Sequence, residues 1–178
     1  MRPGLRKFVR TAHITFTVGW LGAVAAFLAL GIAGLTSRDS QIVSAAYLGM
    51  DLITRFVIVP LSLAPLLLTG PILSLGTPWG LFSHYWILIK LGINLLSTFI
   101  LLVHLQPIAY LAGVASEGTL SHADRSLQIQ MVVASGAGLL ALLAATGLAV
   151  YKPRGMTPYG WRKQYEERKV SSDIDIAS

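Results

Sequence analysis

Apolar residues run along the chain in four long blocks, roughly 11–35, 42–74, 81–110 and 124–151, each longer than the ~20 residues a helix needs to cross the hydrocarbon region of a bilayer. Short polar stretches part them, such as SRDSQ at 37–41 and ASEGTLSHAD at 115–124. The pattern predicts an all-α protein, a bundle of four transmembrane helices over residues 1–151, followed by a basic and then polar tail over 152–178.

Polar positions inside the blocks recur at helical spacing. In HYWILIKLGINLLSTFILLVH, residues 84–104, one face carries Lys90, Asn94, Ser97, Leu101 and His104. A charge turned toward lipid costs ~2.5–3.5 kcal/mol at mid-span, so this stripe is expected to face the bundle interior. The second block repeats the arrangement with Asp51, Arg55, Ile58, Ser62, Pro65 and Thr69, and Asp51 and Arg55 are spaced to pair within their own helix. In the first block His13, Thr17, Trp20 and Val24 share a face, while Gly19, Gly22, Ala23 and Ala26 offer a small-residue surface for close helix packing.

Punctuation residues place the boundaries. Thr77-Pro78 reads as an N-cap followed by proline at the first helical position, and Trp79, Tyr85 and Trp86 after it mark a membrane interface. Ser121 and Asp124 in SHAD form a capping box with Asp in the usual Glu position, and His122 is read as part of that cap. Pro60, Pro65 and Pro71 are expected to kink the second span, and the last segment, WRKQYEERKVSSDIDIAS, reads as an interfacial or solvated tail with a frayed end. No internal repeat or inverted pair of broken spans is present, which disfavours a transporter.

Composition agrees with the pattern: 54% hydrophobic residues, 12% charged residues and a mean hydropathy of +0.65 exceed what one soluble core needs. The absence of cysteine excludes disulfides, thiolate metal sites and iron–sulfur clusters. The net charge of +6 is a topology signal, not a nucleic-acid footprint, because Arg2, Arg6, Lys7 and Arg10 precede the first span and Lys152, Arg154, Arg162, Lys163, Arg168 and Lys169 follow the last. Both termini are therefore expected in the cytoplasm. The basic N-terminus is followed by an apolar run too long for a signal peptide, so it is read as a retained span.

Depth sorts the polar groups. Lys90 and His104 are about 21 Å apart along an α-helix. His13 is expected beside Lys90 and His84 in the inner leaflet, and Asp51 beside His104, Gln106, Gln128 and His122 in the outer one, with Arg55 nearer the middle. Asp51, Arg55, Asn94 and Gln128 form the candidate polar cluster inside the membrane. His13 and Trp20 are the best candidates for a haem slot, with neutral imidazole as the iron ligand; His104 is a weaker second candidate. The alternative for each histidine is a hydrogen bond to a backbone carbonyl.

The patterns AHITFTVGWLGA, PLLLTGPILSLGTPWGLFSHYWILIKLGINLL and LLVH, within residues 7–106, resemble an uncharacterised bacterial family of small four-span predicted integral membrane proteins. More distantly, a histidine followed by a tryptophan and a glycine in the first span, Thr-Gly late in the second, and W-x-x-x-K in the third are similar to the haem-containing four-span protoporphyrinogen oxidases, and the histidine, tryptophan and glycine of the first span also resemble those of copper-resistance membrane proteins. The oxidase resemblance implies haem b, with His13 as iron ligand and Lys90 as a required lysine. The chain departs from the oxidase pattern in AVAAFLALG, residues 23–31, which lacks the arginine found there, so a common fold and haem slot are implied more than a common reaction.

Three readings follow. The first is a haem b-binding redox or porphyrin-related protein using His13 and Lys90. The second is a non-catalytic accessory or assembly subunit whose small-residue faces bind a membrane protein partner or a second copy. The third is a small permease using Asp51, Arg55 and His104. The residues leave open whether the protein is an enzyme.

Overall fold

The computed structural model describes residues 3–69, 83–151 and 155–177. The expected helix start at Thr77-Pro78, together with Pro71 and Trp79, lies outside these residues. Four helical stretches are long and apolar enough to cross a membrane: Gly4–Thr36, Ser40–Leu68, Tyr85–Ser116 and His122–Tyr151. The first packs against the second and the fourth, and the third packs against the same two, so the spans run around the bundle in chain order as an up-down-up-down ring. No strand occurs among the described residues.

The bundle core is small for so apolar a chain. Between 11% and 28% of the residues in each span's apolar window are buried by the protein itself, and large side chains such as Phe8, Phe56, Leu140 and Val150 point outward. In water such a surface would be an aggregation liability, and it is of the kind that hydrocarbon covers. The all-α reading thus agrees with the structure, and the chain has the build of an integral membrane protein.

The second span is not a regular helix. It runs as α-helix over Ser40–Ile53, widens to π-turns at Thr54–Ile58, returns to α over Val59–Leu63 and widens again at Ala64–Thr69. Pro60 and Pro65 lack the N–H that the carbonyls four residues earlier would receive, and a wider turn redistributes those bonds. The widening also solves a register problem. The inward residues Met50, Thr54, Ile58 and Ser62 recur every four positions, a spacing that drifts off the face of a 3.6-residue helix unless turns are enlarged. One consequence departs from the stripe expected from sequence: Ile58, Ser62 and Pro65 point inward, but Arg55 is turned outward.

The third span bends at His104, between helices Tyr85–Val103 and Leu105–Ser116. Pro107 cannot donate to the Val103 carbonyl. The His104 N–H is shared between the carbonyls of Ile100 and Leu101, each at 3.1 Å, and the helix resumes with Ile108 N–H donating to His104.

Two linkers define one end of the bundle. Asp39 caps the second span by accepting from the Gln41 N–H at 2.8 Å, and the Arg125 guanidinium donates to the Leu35 carbonyl at the end of the first. After the third span Gly118 takes φ of 67°, a left-handed turn that suits glycine. The expected capping box is present. Asp124 accepts from the Ser121 N–H and hydroxyl, both at 2.8 Å, and also from the Tyr110 hydroxyl at 3.0 Å, tying the third span to the fourth. Asp124→Ala removes an acceptor shared by three donors, and is expected to lower the thermal unfolding midpoint by several degrees. Ser121→Ala should have a smaller effect in the same melts.

At the opposite end the tail, expected to be interfacial or solvated with a frayed end, is more ordered than its charge suggests. It forms a helix, Pro158–Ala177, whose start docks on the beginning of the third span. Thr157 N–H donates to the Ser83 carbonyl at 3.0 Å, Tyr85 N–H donates to Gly155 at 3.4 Å, and the Thr157 hydroxyl caps the new helix by accepting from Gly160 N–H. A Cβ at Gly160 would collide with the Ser83 carbonyl. Thr157-Pro158 is the same cap-and-proline signature recognised at 77–78; it was legible in the sequence and overlooked because the surrounding charge suggested a solvated tail.

Candidate functional site

Three polar features sit in or against the bundle, and the structure separates them. The first is the pair His13 and Lys90. They come from spans diagonally opposite in the ring, both half-buried, with the Lys90 ammonium near enough to act electrostatically on the imidazole. No sequence spacing links residues 13 and 90; the crossing of the bundle does. Thr17, one turn above His13, donates its hydroxyl to the His13 carbonyl at 3.0 Å and to that of Ile14 at 2.9 Å, so it serves its own helix.

The second feature is a cavity of about 390 Å³ in the middle of the bundle. Trp20, Val24 and Phe27 of the first span, Ile58 of the second and Met131 of the fourth form its inner wall; Ile93, Ser97 and His104 lie along the third. Trp20 and Phe27 are buried, 2% and 6% exposed, so the back wall is a fixed aromatic surface. From Ile93 to Ile108 the lining runs about 22 Å along the third span. Trp20 and His104, both singled out in the sequence, line this cavity, whereas His13 and Lys90 do not. Those two lie just beyond one end of it: His13 is two turns from Trp20 on the same helix, and Lys90 is one turn from Ile93.

At the other end His104 has a defined tautomer. Its Nδ1 is 2.7 Å from the Ile100 carbonyl, which can only accept, so Nδ1 carries the proton and Nε2 presents a lone pair. The Gln130 amide approaches that lone pair at 3.4 Å, the long limit of a hydrogen bond. His104 is about 21 Å from Lys90 along the helix, so it is not a second ligand for an iron held by His13.

The third feature is the ion pair of the second span. Arg55 Nε donates to both oxygens of Asp51 at 2.8 and 3.0 Å, and the arginine side chain is half exposed. The two acidic and basic groups satisfy each other. Asn94 and Gln128 are buried, the first on the inner stripe of the third span with Thr98, the second near the linker end of the fourth. Among the described residues no three His, Cys, Asp or Glu side chains gather to hold a metal ion.

Sequence reasoning missed the tightest helix contact. Of the glycines and alanines expected to make a packing surface, Gly22 meets nothing within 4 Å and Ala26 is exposed, although Ala23 is buried and Gly19 packs on Leu61. The closest of these approaches is at Gly34, where a Cβ would stand 2.9 Å from the Tyr47 ring; the expected Gly19 follows at 3.1 Å from Leu61, and Gly31 at 3.3 Å from Val132. The sequence signal was GIAG, two small residues three apart at the end of the first span.

The fold and these sites define a class: an all-α bundle of four potential membrane spans around an apolar cavity, with a histidine–lysine pair at one end and a histidine of fixed tautomer at the other. No protein-family model, curated protein or solved structure matches the chain, so function is argued from the sites themselves.

Proposed function

We propose that this is a multi-pass protein of the bacterial cell membrane, with both termini cytoplasmic, that binds haem b at the His13–Lys90 end of the bundle. The observation that supports the reading is that His13 and Lys90, on diagonal spans, lie within electrostatic reach of each other, beyond the end of the aromatic wall begun by Trp20. The residues fit the group in kind: one imidazole for the iron, one cation for a propionate, and an apolar surface for the macrocycle. Bound there, haem b supplies one-electron redox chemistry. The chain's own contribution is the ligand, a charge that offsets the propionate in a dry environment, and exclusion of water by Trp20 and the inner wall. Ten of the 14 basic residues flank the outer ends of the first and last spans, which supports the cytoplasmic assignment of the termini.

The expected result is a Soret band in protein purified in mild detergent after expression with haem precursor. His13→Ala should abolish it, and Lys90→Gln should weaken haem retention while leaving the band position unchanged. A colourless wild-type protein after haem supplementation, or a band untouched in His13→Ala, sinks the proposal.

A second reading, an accessory subunit or homo-oligomer, is favoured by the outward Asp51–Arg55 pair. Charges at mid-span on a lipid-facing surface are expensive, and a neighbouring helix would shield them.

A further inference from the structure

The central cavity has features that a haem at His13 does not use. Its walls include Leu96 and Ile100 of the third span, 60% and 41% exposed, and Ala137 of the fourth, also exposed. Residues that line a cavity and face outward at once mark its mouth. The cavity therefore opens sideways, between the third and fourth spans, toward the surface that lipid covers. Small residues on the fourth span, Gly138 and Ala141 beside Ala137, keep the mouth from being filled.

Inside, the surface is almost wholly apolar, and at its far end stands the His104 imidazole. Because Nδ1–H is committed to the Ile100 carbonyl, Nε2 can accept a proton-bearing partner and cannot donate to one. Its present neighbour, Gln130, sits at 3.4 Å and is exposed, so a shorter and better aligned donor displaces it readily. An apolar slot of this volume, in the range of small-molecule sites, takes a ligand whose polar group is a hydrogen-bond donor at one end of an apolar body.

We propose that the cavity is a binding site for a membrane-dissolved amphiphile with a hydroxyl head, which enters tail and all between the third and fourth spans and donates its O–H to His104 Nε2. Hydroquinones with an alkyl or isoprenoid chain and diacylglycerols share this chemistry. A quinone, which presents acceptors alone, lacks the needed donor. The site lies at the opposite end from Lys90 and goes beyond the haem reading: it stands whether or not His13 ligates iron.

The test melts the full chain in detergent micelles under anaerobic conditions, following intrinsic tryptophan fluorescence. The probes are a decyl-substituted hydroquinone, the corresponding decyl quinone, and dioctanoylglycerol. A hydroxyl-bearing probe that binds the folded state raises the midpoint in proportion to the logarithm of its concentration over its dissociation constant. The hydroquinone is expected to bind about tenfold more tightly than the quinone, the worth of one hydrogen bond that only the former can make. His104→Phe should bring the two to equal affinity, and Ala137→Leu, which narrows the mouth at an outward position, should weaken both hydroxyl probes. Tighter binding of dioctanoylglycerol than of the hydroquinone assigns a glycerolipid, and the reverse assigns a quinol. Equal affinity for hydroquinone and quinone in the wild-type chain overturns the proposal without reliance on any variant. So does a midpoint that no hydroxyl probe shifts.

Discussion

Gly34→Leu should destabilise the bundle by about 3 kcal/mol, a fall on the order of 10 °C in unfolding midpoint. The reason is local and geometric. The first carbon of any side chain at 34 would stand 2.9 and 3.0 Å from two ring carbons of Tyr47 and 3.3 Å from Ala46 Cβ. Tyr47 cannot give way, because it is 1% exposed and its ring is hemmed by the first and second spans. A longer side chain must therefore push the two spans apart where they turn, at the linker capped by Asp39. Gly22 is the matched control, since nothing lies within 4 Å of its would-be Cβ. Gly22→Ala should be neutral or stabilising by up to about 1 kcal/mol, from helix propensity alone. Thermal melts of both variants in one detergent decide the matter: equal effects at 34 and 22 would mean that the first two spans do not pack as described.

The second large effect concerns Asp51 and Arg55. In water an exposed pair four residues apart contributes a few tenths of a kcal/mol, and deleting either partner would scarcely register. In a membrane the outcome differs in kind, because the surviving charge has no water to replace its partner. Arg55→Leu alone should cost about 3 kcal/mol, while the double variant Asp51→Leu with Arg55→Leu should recover most of that loss. The double-variant cycle thus reads the medium around the second span as well as the bond. A cycle with coupling near zero would place that face in water and contradict the spanning assignment. The same proteins, reconstituted in lipid nanodiscs, test the accessory reading: a wild-type oligomer that dissociates in the double variant marks this face as an interface.

Much of the architecture was legible before any coordinates, and the reason is physical. Hydrophobic length reports a span directly, because hydrocarbon thickness sets the number of residues required, so all four helices appear where apolar blocks stood. The third-span stripe was legible for a related reason: a helix that carries Asn94, Ser97 and His104 on one side has one inexpensive orientation, and Asn94 is buried while the other two line the cavity. The capping box at Ser121 and Asp124 was equally readable, since capping depends on neighbours three residues apart.

The failures share a cause as well. Uniform 3.6-residue turns place Arg55 on the inward stripe of the second span, but that span contains π-turns, and Arg55 faces outward. Of the packing surface expected at Gly19, Gly22, Ala23 and Ala26, Gly19 and Ala23 are packed while Gly22 and Ala26 are exposed, because whether a small residue is a contact depends on the helix opposite it. Gly31 and Gly34 are contacts because the hairpin brings Met50 and Tyr47 against them.

The sequence by itself determined the helical class, the number of potential spans, the ends at which the basic residues cluster and the local pairs: Asp51 with Arg55, Ser121 with Asp124. These follow from interactions between residues within a turn or two, and from the medium that each block demands. Only the tertiary structure decided that His13 and Lys90 lie within electrostatic reach of each other, that Trp20 and His104 line one cavity while His13 and Lys90 stand outside it, and that Gly34 rather than Gly22 bears the packing. Such pairings join residues far apart in the chain, and no local spacing encodes them; they exist because four rods, once side by side, present particular faces at particular depths.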